Sequence, residues 1–292
     1  MASKEVPVLF ECDGAELAGI LHQPEKPSAI GVMIVVGGPQ YRVGSHRQFV
    51  LIARVMARHG IPVFRFDHRG VGDSNGHRHG FDELDLDISA AFSAFSDRCQ
   101  FLRGFVTLGL CDAATACALV AERSGLPIVG QIALNPWVRT TAGEDEAVFK
   151  HYYVRRALSR DFWSSILRGE YALRLSIEDL VSRVRRTIRR HVRESVKTPD
   201  DLPALVRNAQ INFSGKTLIV LSERDLVAKE YLARVKESQP WSRWFESESV
   251  TVKYLDKADH TFSSADLRNR VSDWCIQWIL DLEKRPGLNE DL

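Results

Sequence analysis

The sequence GFVTLGLCDAATACALVAER occupies residues 104–123 of the 292-residue chain. Its first seven residues form a nearly continuous apolar run, which is typical of a strand covered on both faces. A helix is predicted to begin directly afterwards, at Asp112, so Cys111 stands at a sharp strand-to-helix turn. In such a turn the residues two before and two after Cys111 come close together, and both must be small. Gly109 and Ala113 meet that requirement.

Strands and helices alternate on both sides of this stretch. The predicted strands are Val6–Cys12, Glu16–His22, Ala29–Val36, Ile61–Phe66, Gly104–Leu110, Pro127–Leu134, Lys216–Ser222 and Ser249–Leu255. The predicted helices are His46–His59 (capped by Ser45), Phe81–Asp97, Asp112–Arg123, Val227–Glu237 and Ser264–Leu282. This alternation predicts an α/β fold with a mostly parallel eight-stranded sheet and helices on both faces. The first two strands, joined by Asp13-Gly14, are predicted to form a hairpin.

The alternation stops between residues 137 and 210, where several helices and no clear strand are predicted. This segment carries 15 Lys+Arg and 10 Asp+Glu. We interpret it as a helical lid inserted into a core made of residues 1–136 and 211–292. One of its helices, near Ile177–Ser195, has a densely basic surface. Its arginines are Arg183, Arg185, Arg186, Arg189, Arg190 and Arg193.

Composition excludes several classes of protein. The chain is 45% hydrophobic and 26% charged, as in ordinary globular proteins. Its net charge of +1 is far below that of a general nucleic-acid binder. No apolar run is long enough to span a membrane, and no signal-peptide core follows Met1, so a cytoplasmic location is predicted. The five cysteines are odd in number and irregularly spaced, which argues against a disulfide framework.

The turn at Cys111 resembles the nucleophile elbow of the α/β-hydrolase superfamily. Cys111 stands where most members have Ser, and Ala113 where most have Gly. The resemblance implies the chain order nucleophile, acid, histidine. Asp225 follows the strand after the lid, and His260 follows the last strand within Asp259-His260-Thr261-Phe262, a frequent form in the superfamily. The predicted triad is therefore Cys111, His260 and Asp225, with Glu223 and Asp259 as weaker candidates for the acid.

The same resemblance implies an oxyanion hole of two backbone N–H groups. One belongs to the residue after the nucleophile, Asp112. The other lies in the turn after the third strand, Val36-Gly37-Gly38-Pro39-Gln40. Gly38 is the predicted donor because Pro39 has no N–H.

The sequence of residues 37–49, together with 109–113, resembles the hydrolases associated with exosortase A gene clusters in bacteria. This resemblance implies an acyl hydrolase or transferase linked to surface-polymer or natural-product pathways, with Gln40, Tyr41 and Arg42 facing the acyl site. Residues 67–74 resemble the Asp-x-Arg-Gly-x-Gly-x-Ser loop of many α/β-hydrolases, which we interpret as a structural turn scaffolded by Asp67 and Arg69. No cofactor and no metal are predicted, since His77 and His79 have no further ligands nearby in sequence.

Three functions remain open on this evidence. The first is hydrolysis of a small-molecule ester or thioester through an S-acyl enzyme, and the second is transfer of that acyl group to an alcohol, amine or thiol. The third is non-catalytic binding, against which the complete triad argues. The basic lid helix suits an acidic acyl-carrier protein or the phosphates of coenzyme A, since arginine binds phosphate with two donors, although a solvated surface explains the same pattern.

Overall fold

A computed structural model describes residues 3–38, 40–138 and 201–284. The strands are β1 (Ser3–Cys12), β2 (Ala15–Pro24), β3 (Ile30–Val35), β4 (Val63–Phe66), β5 (Gly104–Leu110), β6 (Ile128–Leu134), β7 (Lys216–Ser222) and β8 (Val250–Leu255). The α-helices are α1 (Gln48–Arg58), α2 (Asp85–Arg98), α3 (Asp112–Arg123), α4 (Leu202–Asn212), α5 (Leu226–Glu237), α6 (Gln239–Phe245) and α7 (Ala265–Glu283).

The eight strands form one sheet in the order β1-β2-β4-β3-β5-β6-β7-β8. β1 pairs antiparallel with β2, and β2 pairs antiparallel with β4. All other neighbours are parallel. The mostly parallel eight-stranded sheet predicted from the sequence is thereby confirmed. In this order β5, which leads to Cys111, lies between β3 and β6.

Helices cover both faces of the sheet. Neighbouring residues Phe105 and Val106 of β5 point to opposite faces, because side chains alternate along a strand. Gly31 pairs with Phe105, and its face lies against Phe95 of α2. Gly130 pairs with Val106, and its face lies against Trp278 of α7. The sheet is therefore buried on both sides, as the continuous apolar runs of β3 and β5 predict.

Two predicted helix starts are wrong. The first helix begins at Gln48 and not at His46, and Ser45 does not cap it. A 3-10 turn, Ser45–Arg47, precedes α1, and Arg47 has a left-handed φ of 59° that α-helix excludes. The helix predicted from Phe81 is divided in the same way. A 3-10 turn at Phe81–Glu83 is followed by α2, since Leu84 has non-helical angles.

α6 was not predicted, and it closes a buried polar cluster with α4 and α5. Gln210 of α4 accepts hydrogen bonds from the Tyr231 hydroxyl at 2.9 Å and from Trp241 Nε1 at 2.8 Å. All three residues are almost fully buried. One amide oxygen thus satisfies two donors that burial would otherwise leave without partners.

Most of the predicted lid lies outside the described residues. These begin again at residue 201, so the basic helix near residues 177–195 is not among them. The lid and its basic surface therefore stay predictions. None of the helices that the structure describes has the length and apolar character needed to span a membrane.

Candidate active site

The predicted site residues follow strands whose carboxyl ends share one edge of the sheet. Because β3, β5, β6, β7 and β8 run parallel, the segments that leave them emerge on the same side. Gly37 follows β3, Cys111 follows β5 and Asn135 follows β6. Asp225 and His260 follow β7 and β8. The topology therefore collects residues that are far apart in the sequence.

Cys111 occupies a strained turn. Its φ of 61° and ψ of −124° lie outside the regions that side-chain-bearing residues usually adopt, and such strain clusters at functional sites. A Cβ on Gly109 would lie 2.5 Å from the backbone carbon of Ala113 and the backbone nitrogen of Ala114. Ala113 itself is fully buried. The turn is thus closed as tightly as the spacing of small residues predicts.

Cys111 differs from the other four cysteines in exposure. Cys12, Cys99, Cys117 and Cys275 are buried, whereas Cys111 is partly exposed. Burial raises the pKa of the Cys99 thiol to about 11 and the pKa of the Cys117 and Cys275 thiols to about 12. Since the thiolate is the reactive form, these buried thiols are chemically quiet at neutral pH.

His260 and Asp225 are hydrogen bonded to each other. The distance from His260 Nδ1 to Asp225 Oδ2 is 2.7 Å. Asp225 is only 6% exposed, and its other oxygen accepts the N–H of Val227 at 3.1 Å, which caps α5. The carboxylate is therefore held on both oxygens, with one oxygen turned to the imidazole.

The two weaker candidates for the acid bind other groups. Glu223 Oε2 accepts the backbone N–H of Lys257 at 2.7 Å. Asp259 accepts the backbone N–H and the hydroxyl of Ser263. Among these three carboxylates, the geometry favours Asp225 as the partner of His260.

Asn135 is a supporting residue that the sequence analysis missed. It is fully buried with a left-handed φ of 44°, which Asn tolerates better than most residues. Its Nδ2 donates to the His260 carbonyl at 3.1 Å and to Ser222 Oγ at 3.0 Å, and its Oδ1 accepts the Ser222 N–H. One amide thus ties the end of β6 to the end of β7 and to the histidine loop. An Asn directly after a buried strand was the available signal.

The N–H of Gly38 already has a partner in this structure. It donates to Asp112 Oδ2 at 2.8 Å, and Ala113 N–H donates to Asp112 Oδ1 at 3.0 Å. A Cβ on Gly37 would overlap Asp112 Oδ1, so the carboxylate lies directly against the Gly37-Gly38 turn. The structure thus brings Gly38 and Asp112, the two predicted oxyanion residues, together. The contact between them is made by the Asp112 side chain, whereas the predicted role was that of the Asp112 backbone N–H.

Burial raises the pKa of the Asp112 carboxyl above its usual value. Hydrogen bonds from the backbone N–H groups of Gly38, Ala113 and Asp112 itself act in the opposite direction. The charge of His260 also acts to lower the pKa of Asp112, because the imidazole lies within electrostatic range of this carboxyl.

The three residues predicted to face the acyl group differ in their contacts and in their exposure. The Arg42 guanidinium forms ion pairs with Asp67 and Asp73, and its backbone N–H donates to Asp67 at 2.6 Å. Arg42 therefore braces the loop after β4. Gln40 Oε1 lies 3.4 Å from the Ser45 N–H, and Tyr41 is 46% exposed. Contact of any of these residues with substrate stays a prediction.

The loop after β4 is held by two separate acid–base clusters. Asp67 accepts from Arg42 and from the Asp73 N–H. Arg69 instead pairs with Asp87 of α2 and with Asp13 in the β1–β2 turn. The two residues thus brace the loop through different partners.

An aromatic pair borders the predicted nucleophile. The N–H of Trp137 donates to the Cys111 carbonyl at 3.3 Å. The Trp137 ring packs edge-on against Phe81, with ring centroids 5.2 Å apart. This aromatic pair was also missed, because its two partners lie in distant parts of the sequence. No cluster of potential metal ligands occurs among the residues that the structure covers.

No protein-family model matches the chain, and no curated protein sequence is similar to it. Solved structures do resemble it. An esterase of Pyrococcus furiosus has a TM-score of 0.65 at 15% identity, over 96% of this chain and 91% of that chain. An alpha/beta hydrolase of Penicillium sp. sh18 has a TM-score of 0.58 at 17% identity, over 98% and 99%.

The chain has an α/β-hydrolase fold. A third structure with this fold, Est1E of Butyrivibrio proteoclasticus bound to ferulic acid, has a TM-score of 0.61 at 14% identity. It covers 95% of this chain and 100% of that chain. At such low identity the α/β-hydrolase fold is what these matches establish, and the chemistry has to be argued from the residues themselves.

Proposed function

We propose that the chain is an acyl hydrolase that cleaves an ester or thioester through a Cys111-His260-Asp225 triad. The observation that carries the proposal is the 2.7 Å hydrogen bond from His260 to buried Asp225 at the sheet edge where β5 ends in the strained turn at Cys111. A buried capping carboxylate and a loop histidine have no structural need to meet there. The esterase from Pyrococcus furiosus, which shares the fold, supports the same class of reaction.

The hydrogen bond to Asp225 fixes the tautomer of His260. When Nδ1 carries the proton and donates it to Asp225, the lone pair of the neutral ring lies on Nε2. Nε2 then accepts the thiol proton of Cys111, and the resulting imidazolium is stabilised by the Asp225 carboxylate. Cys111 also stands at the N-terminus of α3, whose dipole favours the thiolate.

The proposed reaction has two balanced stages. The thiolate forms a C–S bond to the carbonyl carbon, the bond to the leaving group breaks, and His260 returns its proton to that group. Water then attacks the S-acyl enzyme, and His260 accepts a proton from it. The C–S bond breaks, the acid is released and the thiol is restored.

A small carboxylic acid is the proposed acyl group. Est1E, which shares the fold, binds ferulic acid, an aromatic acid. Trp137, whose backbone N–H contacts the Cys111 carbonyl and whose ring packs on buried Phe81, is the aromatic residue that we propose such an acyl chain contacts.

Acyl transfer is the second candidate, and the identity of residue 111 favours it. A cysteine gives a thioester intermediate, which passes its acyl group to amines and thiols more readily than an oxygen ester does. The two functions share the first stage and differ only in what removes the acyl group. A coenzyme or acyl-carrier partner that binds the predicted basic lid would be compatible with hydrolysis and with transfer.

Intact-protein mass spectrometry tests the proposal. The chain is incubated with small acyl thioesters and aryl esters, and the mass added to Cys111 is followed with time. Cys111→Ala should take up no acyl group, whereas Cys12→Ala, which removes a buried thiol, should load as the wild type does. Loss of the acyl group in water alone indicates a hydrolase, and loss only with added amine, alcohol or thiol indicates a transferase. Undiminished turnover by Cys111→Ala would overturn both.

A further inference from the structure

The Asp112 carboxylate lies where an oxyanion hole would hold the substrate oxygen. In an acyl-transfer site of this fold, one donor is the N–H of the residue after the nucleophile, and the other comes from the turn after β3. Here these are the N–H groups of Asp112 and Gly38. The Gly38 N–H is hydrogen bonded to the Asp112 carboxyl, as is the N–H of Ala113, so the side chain of residue 112 occupies one predicted donor and lies beside the other.

The surroundings are shaped around that carboxylate. Gly37 has no side chain, and a Cβ there would overlap Asp112 Oδ1. Gly38 has a left-handed φ of 56°, which glycine adopts without strain and which turns its N–H toward Asp112. On the other side of the turn, Arg78 Nη2 donates to the Gly38 carbonyl at 2.7 Å. The turn is thus held by an arginine on its carbonyl and by a carboxylate on its N–H.

A carboxylate in this position opposes the proposed chemistry in two ways. It uses the Gly38 N–H, one of the two donors that would stabilise the negative oxygen of a tetrahedral intermediate. It also places a negative charge beside Cys111, which disfavours the thiolate. The substrate oxygen and the carboxylate cannot both hold the Gly38 N–H at once.

We propose that Asp112 is a self-inhibitory residue whose carboxylate fills the oxyanion hole and must swing away from Gly38 before an acyl group can react. The inference rests on the proposed function, because it assumes that Cys111 attacks a carbonyl. It adds that the described state is closed to catalysis and that one side-chain rotation opens it. Substrate binding then includes the displacement of an internal anion.

Two probes distinguish an effect on the oxyanion hole from an effect on the nucleophile Cys111. Propionaldehyde labelled with ¹³C at its carbonyl forms a hemithioacetal with an active cysteine, and the new oxygen of that adduct needs the oxyanion donors. Iodoacetamide alkylates the same sulfur without using them. Aldehyde affinity by NMR therefore reports on the hole, and the limiting alkylation rate at high pH reports on the thiolate.

Asp112→Ala and Asp112→Ser both remove the carboxylate that accepts the Gly38 N–H, and serine keeps a polar group at the first residue of α3. Both variants should bind the aldehyde at least about tenfold more tightly than the wild type, since one oxyanion donor is worth about a hundredfold or more in rate. Their limiting alkylation rates should stay within about twofold of the wild-type rate. Asp256→Ala, which removes an exposed carboxylate just after β8, is the matched control and should change neither.

Equal or weaker aldehyde binding by folded Asp112→Ala and Asp112→Ser would overturn the inference. A wild type that binds the aldehyde as tightly as these variants are expected to bind it would overturn the inference as well. Absence of alkylation at Cys111 in every variant is a different result, because it would refute the nucleophile itself and hence the proposed function.

Discussion

Asp225 binds two neighbours, and each of its carboxylate oxygens contacts one of them. One accepts the N–H of Val227 at the start of α5, and the other accepts from His260. In the proposed triad only the contact with His260 depends on the charge of the carboxylate, so substitution should affect the helix cap and the proposed catalysis differently.

Asp225→Asn should lower kcat by a factor of about 10³–10⁴ with little change in stability. The amide keeps an oxygen for the cap, but its NH₂ group favours the wrong tautomer of His260. Steady-state hydrolysis of an activated ester measures the effect. Glu223→Gln is the matched control and should keep most of the activity, because Glu223 binds Lys257 instead. Full activity of Asp225→Asn would assign the acid elsewhere.

The residues of the proposed triad could be named from the sequence, whereas the residues packed around them could not. Cys111, Asp225 and His260 each lie in a short local pattern beside a predicted strand, so their positions could be inferred without tertiary structure. Asn135 and Trp137 act through partners in distant parts of the sequence. Nothing in their local sequence specifies those partners. The Asp112 contact was missed for a related reason, since only the backbone of residue 112 was considered.

The strand-to-helix turn between β5 and α3 tolerates almost no added atoms at Gly109. Gly109→Ala should lower the free energy of unfolding by about 3 kcal/mol, because its methyl group meets backbone that cannot move aside. Urea unfolding measures the loss, and slower alkylation of Cys111 should accompany it. Ala113→Gly is the control on the other side of the turn. It should cost at most about 1 kcal/mol, the usual effect of glycine in a helix.

β2 carries a buried histidine that makes its pairing with β4 sensitive to acid. His22 is fully buried, and its Nε2 accepts a hydrogen bond from Arg65 Nε at 2.9 Å, which requires the neutral ring. Burial and the charge of Arg65 lower the pKa of His22 from 6.5 to about 4. The unfolded state therefore binds a proton more readily than the folded state between these pH values.

The stability that His22 contributes is complete above about pH 6.5 and is lost as the pH falls toward 4. From pH 7.5 to pH 4.5 this one group should remove about 2–3 kcal/mol. Urea unfolding of the wild type and of His22→Gln at both pH values isolates the effect, since all other groups titrate in both proteins. The same pH dependence in the two proteins would contradict the assignment.

Contacts between distant parts of the chain hold the N-terminal hairpin against the rest of the core. Arg69, after β4, pairs with Asp87 of α2 and Asp13 of the β1–β2 turn. Arg69 and Asp87 are both buried, so removing either one would leave the other as a buried charge without this partner. Together these ion pairs tie three segments that are widely separated in the sequence.

Asp87→Leu alone should lower the free energy of unfolding by about 3–5 kcal/mol, because it leaves the buried Arg69 charge with only the exposed Asp13 carboxylate as a partner. The double variant Arg69→Met/Asp87→Leu should recover much of that loss, since the charge that loses its partner, Asp13, is exposed and not buried. Thermal and urea unfolding of both variants and the wild type measure the difference. A double variant as unstable as the single one would mean that the specific geometry of the pair, and not its charge, holds the hairpin.

The mostly parallel architecture of the whole sheet followed from the alternation and the superfamily resemblance, whereas helix ends did not. α1 begins at Gln48 because His46 and Arg47, directly before it, have left-handed φ values of 52° and 59°. Nothing in the capping pattern at Ser45 specifies those two backbone conformations. α6 was missed because it is short and is anchored by Trp241, whose partner Gln210 lies in α4.

The contact between Gly37 and Asp112 also constrains how this chain can evolve. With Asp112 in place, any side chain at position 37 overlaps a carboxylate oxygen, so substitutions there should be eliminated by selection. A shorter residue 112 would remove the nearer contact, but the backbone nitrogen of Ala113 would still lie 2.8 Å from a Cβ at position 37. Position 37 should therefore stay glycine in any descendant that keeps this turn, whichever residue stands at position 112.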